Sequence, residues 1–518
     1  MGIMAKAPGD SLQSIMKGSM IVFFGVIVSL ALNFLIRVLL VRYTTQDQYG
    51  IYTLAITVTG MISGIAILGM DEGSSRYIAY FVGKADNARV MNTIYASIKI
   101  VLLSGIFFTL ISFLFSDFIS TNIFHAPALS GILKIVLLSV PCILLIGILI
   151  SIMRGFSNPR VKVLFNDVLR PLSYLSFLAV ILLFNLPFDA IVYAYLLSFV
   201  LTLAVFLFYI RRVNRGQSPL FRRGDNSMTG DLLRFSLPLL SVNMLLMMMS
   251  QATMLILAFY KTPDLVGEFD IVLMMASLML TVVNSLGYIY TPIVSSLFGS
   301  DNLAELKRSY VTTTKWGYLC TLPIFFLFVL FPQPILNLLF GARYEGIAFV
   351  LQIMALGYII NPLTGPNYHT LISIGKTRYI IQSFLVNAAL NLAFSLLLIP
   401  PFGIAGAAVS ITLSAAIANI LLSVRLFQVL KIHPLTRSYV LSIGLSFVLL
   451  ALAFLSMSWL ALTPTILLGA AGLAAYLIGY TVLMVLLKAV DAEDLMILEM
   501  IEKRLGVNLK FIHGNVTK

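Results

Sequence analysis

Residues 16–41, MKGSMIVFFGVIVSLALNFLIRVLLV, form a long and predominantly apolar run. A helix that crosses a bilayer needs about 20 mostly apolar residues, so this run is long enough to span. It is also longer than the apolar core of a signal peptide and is not followed by a small-residue cleavage site. We therefore expect it to be retained as a true transmembrane helix.

The composition extends this conclusion to the whole chain. Of 518 residues, 60% are hydrophobic and 11% are charged, whereas soluble domains carry about 25% charged residues. A soluble fold is excluded, and the sequence predicts an all-α polytopic membrane protein with about fourteen transmembrane helices. The predicted helices lie near residues 16–41, 50–70, 91–115, 129–153, 163–184, 190–210, 232–259, 267–290, 311–331, 346–372, 378–399, 404–430, 436–459 and 464–488.

The distribution of Lys and Arg predicts the orientation. With the N-terminus inside, the inner segments hold 26 basic residues and the outer loops hold three, namely Arg42, Lys261 and Arg343. Because positive residues stay in cytoplasmic loops, both termini are expected in the cytoplasm, with the chain in the cell membrane. The excess of Lys and Arg in the inner segments, together with their attraction to anionic lipid, explains the net charge of +13, so no nucleic-acid partner is expected. His, Cys and carboxylates form no metal-ligand spacing, so we expect no metal or other cofactor.

An internal repeat predicts the domain organisation. Tyr43–Gly50 (YTTQDQYG) and Tyr260–Gly267 (YKTPDLVG) match in Tyr, Thr, Asp and Gly at one constant offset. We predict two parallel six-helix lobes plus two C-terminal helices, an arrangement typical of transporters with a central cleft that opens to alternate sides. The predicted boundaries are 1–210 and 232–430 for the lobes, 211–231 for a cytoplasmic linker, 431–490 for the last two helices and 491–518 for a cytoplasmic tail.

Polar side chains inside the predicted spans are candidates for substrate binding, because a charge in hydrocarbon costs at least about 2.5–3.5 kcal/mol and is usually kept for a reason. The alternatives are snorkelling for the cations and interhelical hydrogen bonding for the amides. Asn33 shares a helix face with Arg37, and Asn387 lies one turn from Asn391, where both could bind sugar hydroxyls. The candidates are Asn33, Arg37, Lys99, Lys134, Arg170, Arg234, Asn387 and Asn391.

Several stretches carry a family resemblance. They are Arg42–Ala55 (RYTTQDQYGIYTLA), Leu68–Gly83 (LGMDEGSSRYIAYFVG), Leu232–Leu239 (LLRFSLPL) and residues 374–410, which contain IGKTRY and IPPFGIAGAAVS. In these stretches the chain resembles the polysaccharide-repeat-unit flippases (Wzx type) of the multidrug/oligosaccharidyl-lipid/polysaccharide exporter superfamily. Residues 491–510 look similar to the archaeal branch of that family.

The resemblance implies a fourteen-helix, two-lobed fold and a function. The substrate would be a polyprenyl phosphate- or diphosphate-linked oligosaccharide, which is moved from the inner to the outer leaflet by alternating access. The candidate cations would then bind the phosphate in a cationic central cleft. We expect contacts with membrane lipids and a monomer, and analogy suggests glycosyltransferase or polymerase partners.

Two other functions remain open. A cation-coupled multidrug exporter of the same superfamily would prefer a carboxylate inside the membrane, and the basic bias argues against it. A membrane-embedded polysaccharide polymerase would need acid and base groups at the outer face, where the predicted loops are short.

Overall fold

The computed structural model describes residues 8–158, 160–213, 225–460 and 464–487, together with 491 and 494. Over these residues the chain is helical and contains no strand. Hydrocarbon offers no hydrogen bonds, so a spanning segment must satisfy its backbone internally, and a helix does this within one segment. The predicted all-α class is confirmed.

Twenty α-helices follow one another along the described chain. They are α1 Pro8–Tyr43, α2 Gln46–Ala66, α3 Met70–Gly83, α4 Asn87–Leu114, α5 Ser116–Phe118, α6 Leu129–Leu137, α7 Val140–Gly155, α8 Arg160–Lys162, α9 Arg170–Leu183, α10 Phe188–Val213, α11 Thr229–Tyr260, α12 Pro263–Gly299, α13 Leu303–Leu330, α14 Pro332–Phe340, α15 Ala348–Tyr358, α16 Ile360–Thr364, α17 Asn367–Ser373, α18 Thr377–Leu430, α19 Arg437–Trp459 and α20 Ile466–Leu486. Two π-helical segments, Ile119–Ile123 and Val163–Leu169, and two 3₁₀ segments, Asn226–Met228 and Ala342–Ile347, lie between them.

Twelve helical stretches of the described chain are long and apolar enough to cross a membrane, so the chain is a multi-pass membrane protein. The count of about fourteen stays a prediction, and two elements account for the difference. Helix α18 has 54 residues and covers two predicted spans. Helix α11 covers the predicted span 232–259 but is not among the twelve. Its segment Gln251–Tyr260 is apolar but is shorter than a membrane span.

Helix α18 is interrupted where its two predicted spans meet. A straight helix of 54 residues would be about 81 Å long, far more than the roughly 30 Å of hydrocarbon. Gly403 leaves helical geometry (φ 55°, ψ −129°), two residues after Pro401 in the pair Pro400-Pro401. A Cβ placed on Gly406 would lie only 2.1 Å from the carbonyl oxygen of Leu398, so the chain doubles back closely here. The glycines of IPPFGIAG allow this turn because they have no side chain.

Other predicted spans are built from shorter pieces. The predicted span 129–153 consists of α6 and α7, and the predicted span 163–184 begins with a π-helical segment before α9. Helix α3 lies between two predicted spans and was not anticipated. It is separated from α2 by Leu68 and Gly69, which both have positive φ (54° and 70°).

The described chain divides into two compact units, 1–267 and 268–518. The first holds α1 to α11 and the second holds α13 to α20 with most of α12. The predicted lobe and linker boundaries stay predictions, and linker residues 214–224 and tail residues 495–518 lie outside the described residues.

The two glycines that end the repeated motif contact each other inside the first unit. A Cβ placed on Gly267 would lie 2.9 Å from the backbone nitrogen of Gly50. A Cβ placed on Gly50 would lie 1.7 Å from the carbonyl oxygen of Pro263. The start of α2 therefore packs backbone against backbone on the start of α12, and only glycine allows this distance.

We expect Gly50→Ala to destabilise the protein by about 1–3 kcal/mol, because the new methyl group meets a peptide backbone that cannot rotate away. Thermal unfolding of the purified protein in detergent measures the change. The matched control is Gly60→Ala in the same helix, where an added Cβ meets nothing within 4 Å. Equal unfolding midpoints for the two variants would show that the close approach does not matter for stability.

Candidate functional site

Three buried tyrosines from three helices meet in the first unit. Tyr52 of α2 and Tyr174 of α9 share a hydrogen bond of 2.6 Å between their hydroxyl groups. The ring of Tyr195 on α10 meets both rings edge to face, at centroid distances of 6.1 and 5.9 Å. Such contacts fix the helices against one another in a specific geometry.

Arg170 lies beside this group and is the first residue of α9. Its Cζ lies 5.3 Å from the ring centroid of Phe199, which in turn packs on Tyr195 at 5.1 Å. Its Nε is buried and has no hydrogen-bond partner among the described residues. We call Tyr52, Arg170, Tyr174, Tyr195 and Phe199 the tyrosine-arginine cluster.

A π-helical segment positions Arg170. Residues Val163–Leu169 are π-helical, and the α-helix resumes at Arg170. Single π-helical turns occur often at functional sites because they redirect the side chains that follow. This change in side-chain direction cannot be predicted from hydropathy, because a hydropathy window treats residues 163–184 as one regular span.

An ion pair lies in the same span as Arg170. Asp167, only 4% exposed, accepts hydrogen bonds from Lys162 Nζ (3.2 Å) and from Asn166 Nδ2 (2.9 Å). Asp167 is the only acidic residue in the candidate span Arg160–Leu183. Since Lys162 balances its charge, this carboxylate does not neutralise Arg170.

Asn33 and Arg37 lie on α1, which packs against α9 and its preceding π-helical segment. Asn33 Nδ2 donates to the carbonyl oxygen of Ser29 (2.7 Å) and lies 3.2 Å from its hydroxyl, as the spacing of one turn predicts. Arg37 is half-buried one turn further along the helix. The helix that carries both residues thus adjoins the helix that begins at Arg170.

The other predicted cations of the first unit have different surroundings. Lys99 donates to Asn226 Oδ1 at 3.0 Å, and Arg234 is exposed on α11. Lys134 forms an ion pair with Asp117 at 2.9 Å. The pKa of Asp117 is lowered, first by a hydrogen bond from Ser130 and then by Lys134. Lys99 and Lys134 thus have polar partners and Arg234 is exposed, whereas the buried Nε of Arg170 has no partner among the described residues.

The two predicted asparagines belong to the second unit. Asn391 is 4% exposed, and its Nδ2 lies 3.5 Å from Ser414 Oγ, across the break in α18. Asn387 is half-buried one turn earlier. The contact of Asn391 with Ser414 agrees with interhelical hydrogen bonding, which was the alternative to sugar binding. A role in sugar binding stays a prediction for both asparagines.

Sequence reasoning missed a buried lysine in the second unit. Lys315 of α13 is 1% exposed and contacts Asp494 (2.5 Å), Asp491 (3.0 Å) and the hydroxyl of Ser438 (2.6 Å). Trp316 Nε1 also donates to Asp494, at 3.0 Å. Lys315 lies within the predicted span 311–331 but was not among the candidate residues. The signal was the spacing of Asp491 and Asp494, since residues three apart can present two carboxylates to one partner.

We expect Asp494→Ala to lower the stability by about 3 kcal/mol, because it removes a carboxylate from a buried lysine. Asp491→Ala should cost under about 1 kcal/mol, since its side chain is 40% exposed and water can replace the contact. Thermal unfolding of the full chain measures both. Lys315→Met combined with Asp494→Asn should recover much of the loss, because neither charge remains unbalanced. Equal losses for the two single variants would contradict this account.

A protein-family model matches more than half of the chain. The model described as "Polysaccharide biosynthesis protein" matches residues 15–298, and a second model, MatE, matches residues 238–397. Two curated archaeal proteins are similar over shorter segments. An uncharacterized membrane protein of Methanocaldococcus jannaschii is 29% identical over 126 residues. The probable low-salt glycan biosynthesis flippase Agl15 of Haloferax volcanii is 22% identical over 166 residues.

These matched segments cover 24% and 32% of this chain, and they span only 25% and 35% of the two relatives. The fold is shared more completely with solved transporters. Lipid II flippase MurJ, in an inward closed conformation, matches with a TM-score of 0.67 and 14% identity over 90% of this chain and 97% of its own. An inward-facing multidrug resistance MATE family transporter of the MOP superfamily has a TM-score of 0.64 and 16% identity, over 78% of this chain and 95% of its own. The resemblance identified from the sequence is confirmed.

Proposed function

The chain belongs to the polysaccharide biosynthesis protein family, and from this premise we propose that it moves a polyprenyl-(di)phosphate-linked oligosaccharide from the inner to the outer leaflet of the cell membrane. The observation that carries the proposal is Arg170, whose buried Nε has no hydrogen-bond partner among the described residues. Leaving such a donor unpaired is costly. A ligand that accepts a hydrogen bond from it would offset the cost.

The chemistry of the guanidinium selects the class of ligand. Arginine presents a planar set of donors that matches the oxygens of a phosphate, and it stays charged at any physiological pH. The neighbouring carboxylate, Asp167, is engaged by Lys162 at 3.2 Å and so does not compete for Arg170. An anionic head group is therefore favoured at this position over a cation.

The tyrosines of the tyrosine-arginine cluster have a positioning role in this proposal. The 2.6 Å hydrogen bond between Tyr52 and Tyr174 links α2 to the helix that begins at Arg170. The guanidinium lies over the ring of Phe199, with Cζ 5.3 Å from the ring centroid, a contact that favours the charged side chain without using any of its hydrogen-bond donors. A donor held in this way loses little conformational entropy when the ligand binds.

Substrate movement is proposed to follow alternating access, which parallel repeats support in other transporters. Asn33 and Arg37 would extend the polar path along α1, and the two asparagines of α18 remain candidates for sugar contacts. We also propose that both termini lie on the inner side of the membrane and that the protein is a monomer. Its proposed partners are glycosyltransferases or a polymerase. Transport without covalent chemistry is proposed because the relatives with assigned roles are flippases and transporters.

A multidrug exporter is the second candidate. It is favoured by the MatE model, which matches residues 238–397, and by the fold shared with MATE family transporters. A cationic drug would be repelled by Arg170, so this function would need a binding position away from the tyrosine-arginine cluster.

The test is transport by the purified full chain in liposomes that carry a lipid-linked oligosaccharide. An impermeant sugar-binding lectin reports the fraction of oligosaccharide that reaches the opposite leaflet. We expect Arg170→Ala to slow this exposure at least tenfold, because a charge-assisted hydrogen bond is worth about 1.5–3 kcal/mol. Arg170→Lys should be intermediate, since it keeps the charge and loses the planar donors.

The matched control is Arg212→Ala, which removes an exposed guanidinium from the last turn of α10 and should leave exposure unchanged. Wild-type rates for Arg170→Ala would overturn the cationic site. Protein-dependent efflux of a cationic dye, with no exposure of any lipid-linked sugar, would favour the multidrug exporter.

A further inference from the structure

The connection between two membrane spans carries exposed cations that lie over aromatic rings. Helix α3 lies between the candidate spans Gln46–Ala66 and Asn87–Leu114, and the second of these spans is α4. We call this group of cations and rings the basic corner. It consists of Arg76, Tyr80, Phe81, Lys84, Arg89 and Phe235.

Each cation of the basic corner lies over an aromatic ring. Arg76 Cζ is 4.3 Å from the centroid of Phe235, and Lys84 Nζ is 4.6 Å from that of Tyr80. Arg89 Cζ is 5.6 Å from the centroid of Phe81. Cations held against rings keep their charge while part of each side chain lies on an apolar surface.

Helix α3 has one buried and one exposed face. Met70, Ile78 and Phe81 are buried, and the helix packs against α4, α7 and α11. Tyr80, 53% exposed, and Val82, 36% exposed, lie on opposite flanks of this buried face, since residues two apart in a helix do not share a face. An exposed tyrosine and valine beside cations is the composition of a helix that lies at a membrane surface.

Two of the carboxylates close to the basic corner are paired with arginines. Glu72 is paired with Arg154 of α7 at 3.0 Å, and Asp86 is paired with Arg89 at 3.4 Å. Neither Arg76 nor Lys84 forms an ion pair within the described parts of the chain. Arg234, exposed on α11 next to Phe235, adds another positive charge.

Helix α4 places the basic corner at the depth of the lipid head groups. Its 28 residues give a length of about 42 Å, which exceeds the roughly 30 Å of hydrocarbon. The first turns, with Arg89, therefore extend beyond the hydrocarbon region. The distribution of Lys and Arg between the loops predicts that this end of the helix is on the cytoplasmic side, where anionic lipids are concentrated.

We propose that the basic corner binds the phosphate groups of anionic phospholipids in the leaflet that it faces. The cations contact the phosphates, while the exposed parts of Tyr80 and Val82 contact the upper acyl chains. A lipid fits better than free phosphate because apolar surface and charge lie side by side. The corner does not include the tyrosine-arginine cluster, so this inference does not depend on the transported substrate.

Native mass spectrometry of the purified full chain, titrated with phosphatidylglycerol or with phosphatidylcholine, tests the proposal. We expect tighter binding of phosphatidylglycerol to the wild type. The variant Arg76→Gln/Lys84→Gln/Arg89→Gln should weaken it at least about tenfold, since it removes all three cations that would contact the phosphates. The single reversal Lys84→Glu, at an exposed position, should weaken it in the same direction.

The chain offers a closely matched control in Lys307→Gln/Arg308→Gln/Lys376→Gln. All three residues are exposed, and Arg308 pairs with Glu305 at a spacing of three residues, as Arg89 does with Asp86. This variant should keep the lipid preference. Equal losses in both triple variants, or no preference in the wild type, would overturn the proposal. A competition titration with polyprenyl monophosphate gives a further outcome. If this lipid displaced phosphatidylglycerol when present at a lower concentration than phosphatidylglycerol, and if the displacement required the same three cations, the basic corner would be a substrate site and the proposal would be overturned.

Discussion

The absence of water from the hydrocarbon core is the constraint on which the rest of this structure depends. It makes the described chain helical, and it decides where helices can break. At the break around Gly365 (φ 85°), the hydroxyl of Tyr310 donates to the carbonyl oxygen of Thr364 at 2.7 Å. The hydroxyl of Tyr439 donates to the nearby carbonyl oxygen of Leu363 at 3.0 Å. Side chains from other helices thus satisfy the backbone groups that the break releases.

The same constraint sorts the charges. Lys162 and Lys315, each within or beside a span, have carboxylate partners at 3.2 Å and 2.5 Å. Arg170 has instead an aromatic face and a buried Nε without a hydrogen bond among the described residues. Natural proteins usually satisfy their buried polar groups, so each exception calls for an explanation. For Arg170 the explanation that we propose is a bound anion.

The sequence allowed the fold class and most helix positions to be predicted, because hydropathy over about 20 residues reflects the thickness of the bilayer. It did not allow α3 to be predicted, since 14 residues are too few to span. The matching motifs identified Gly50 and Gly267 as equivalent, but their direct contact needed three-dimensional coordinates. Arg170 was found because a charge in a span is conspicuous. Its Tyr52, Tyr174 and Tyr195 neighbours were not, because they come from separate helices.

The ion pair between Lys315 and the carboxylates beyond α20 has a consequence for biogenesis. Lys315 precedes Asp491 by 176 residues, and ribosomes add roughly 5–20 residues each second. Its final partners therefore emerge roughly 9 to 35 s after the lysine itself. During that interval the ammonium group of Lys315 needs contact with water or with lipid phosphate, and α13 reaches its final position only after α20 has been inserted. The completion of the second unit is thus timed by the synthesis of the segment that carries Asp491 and Asp494.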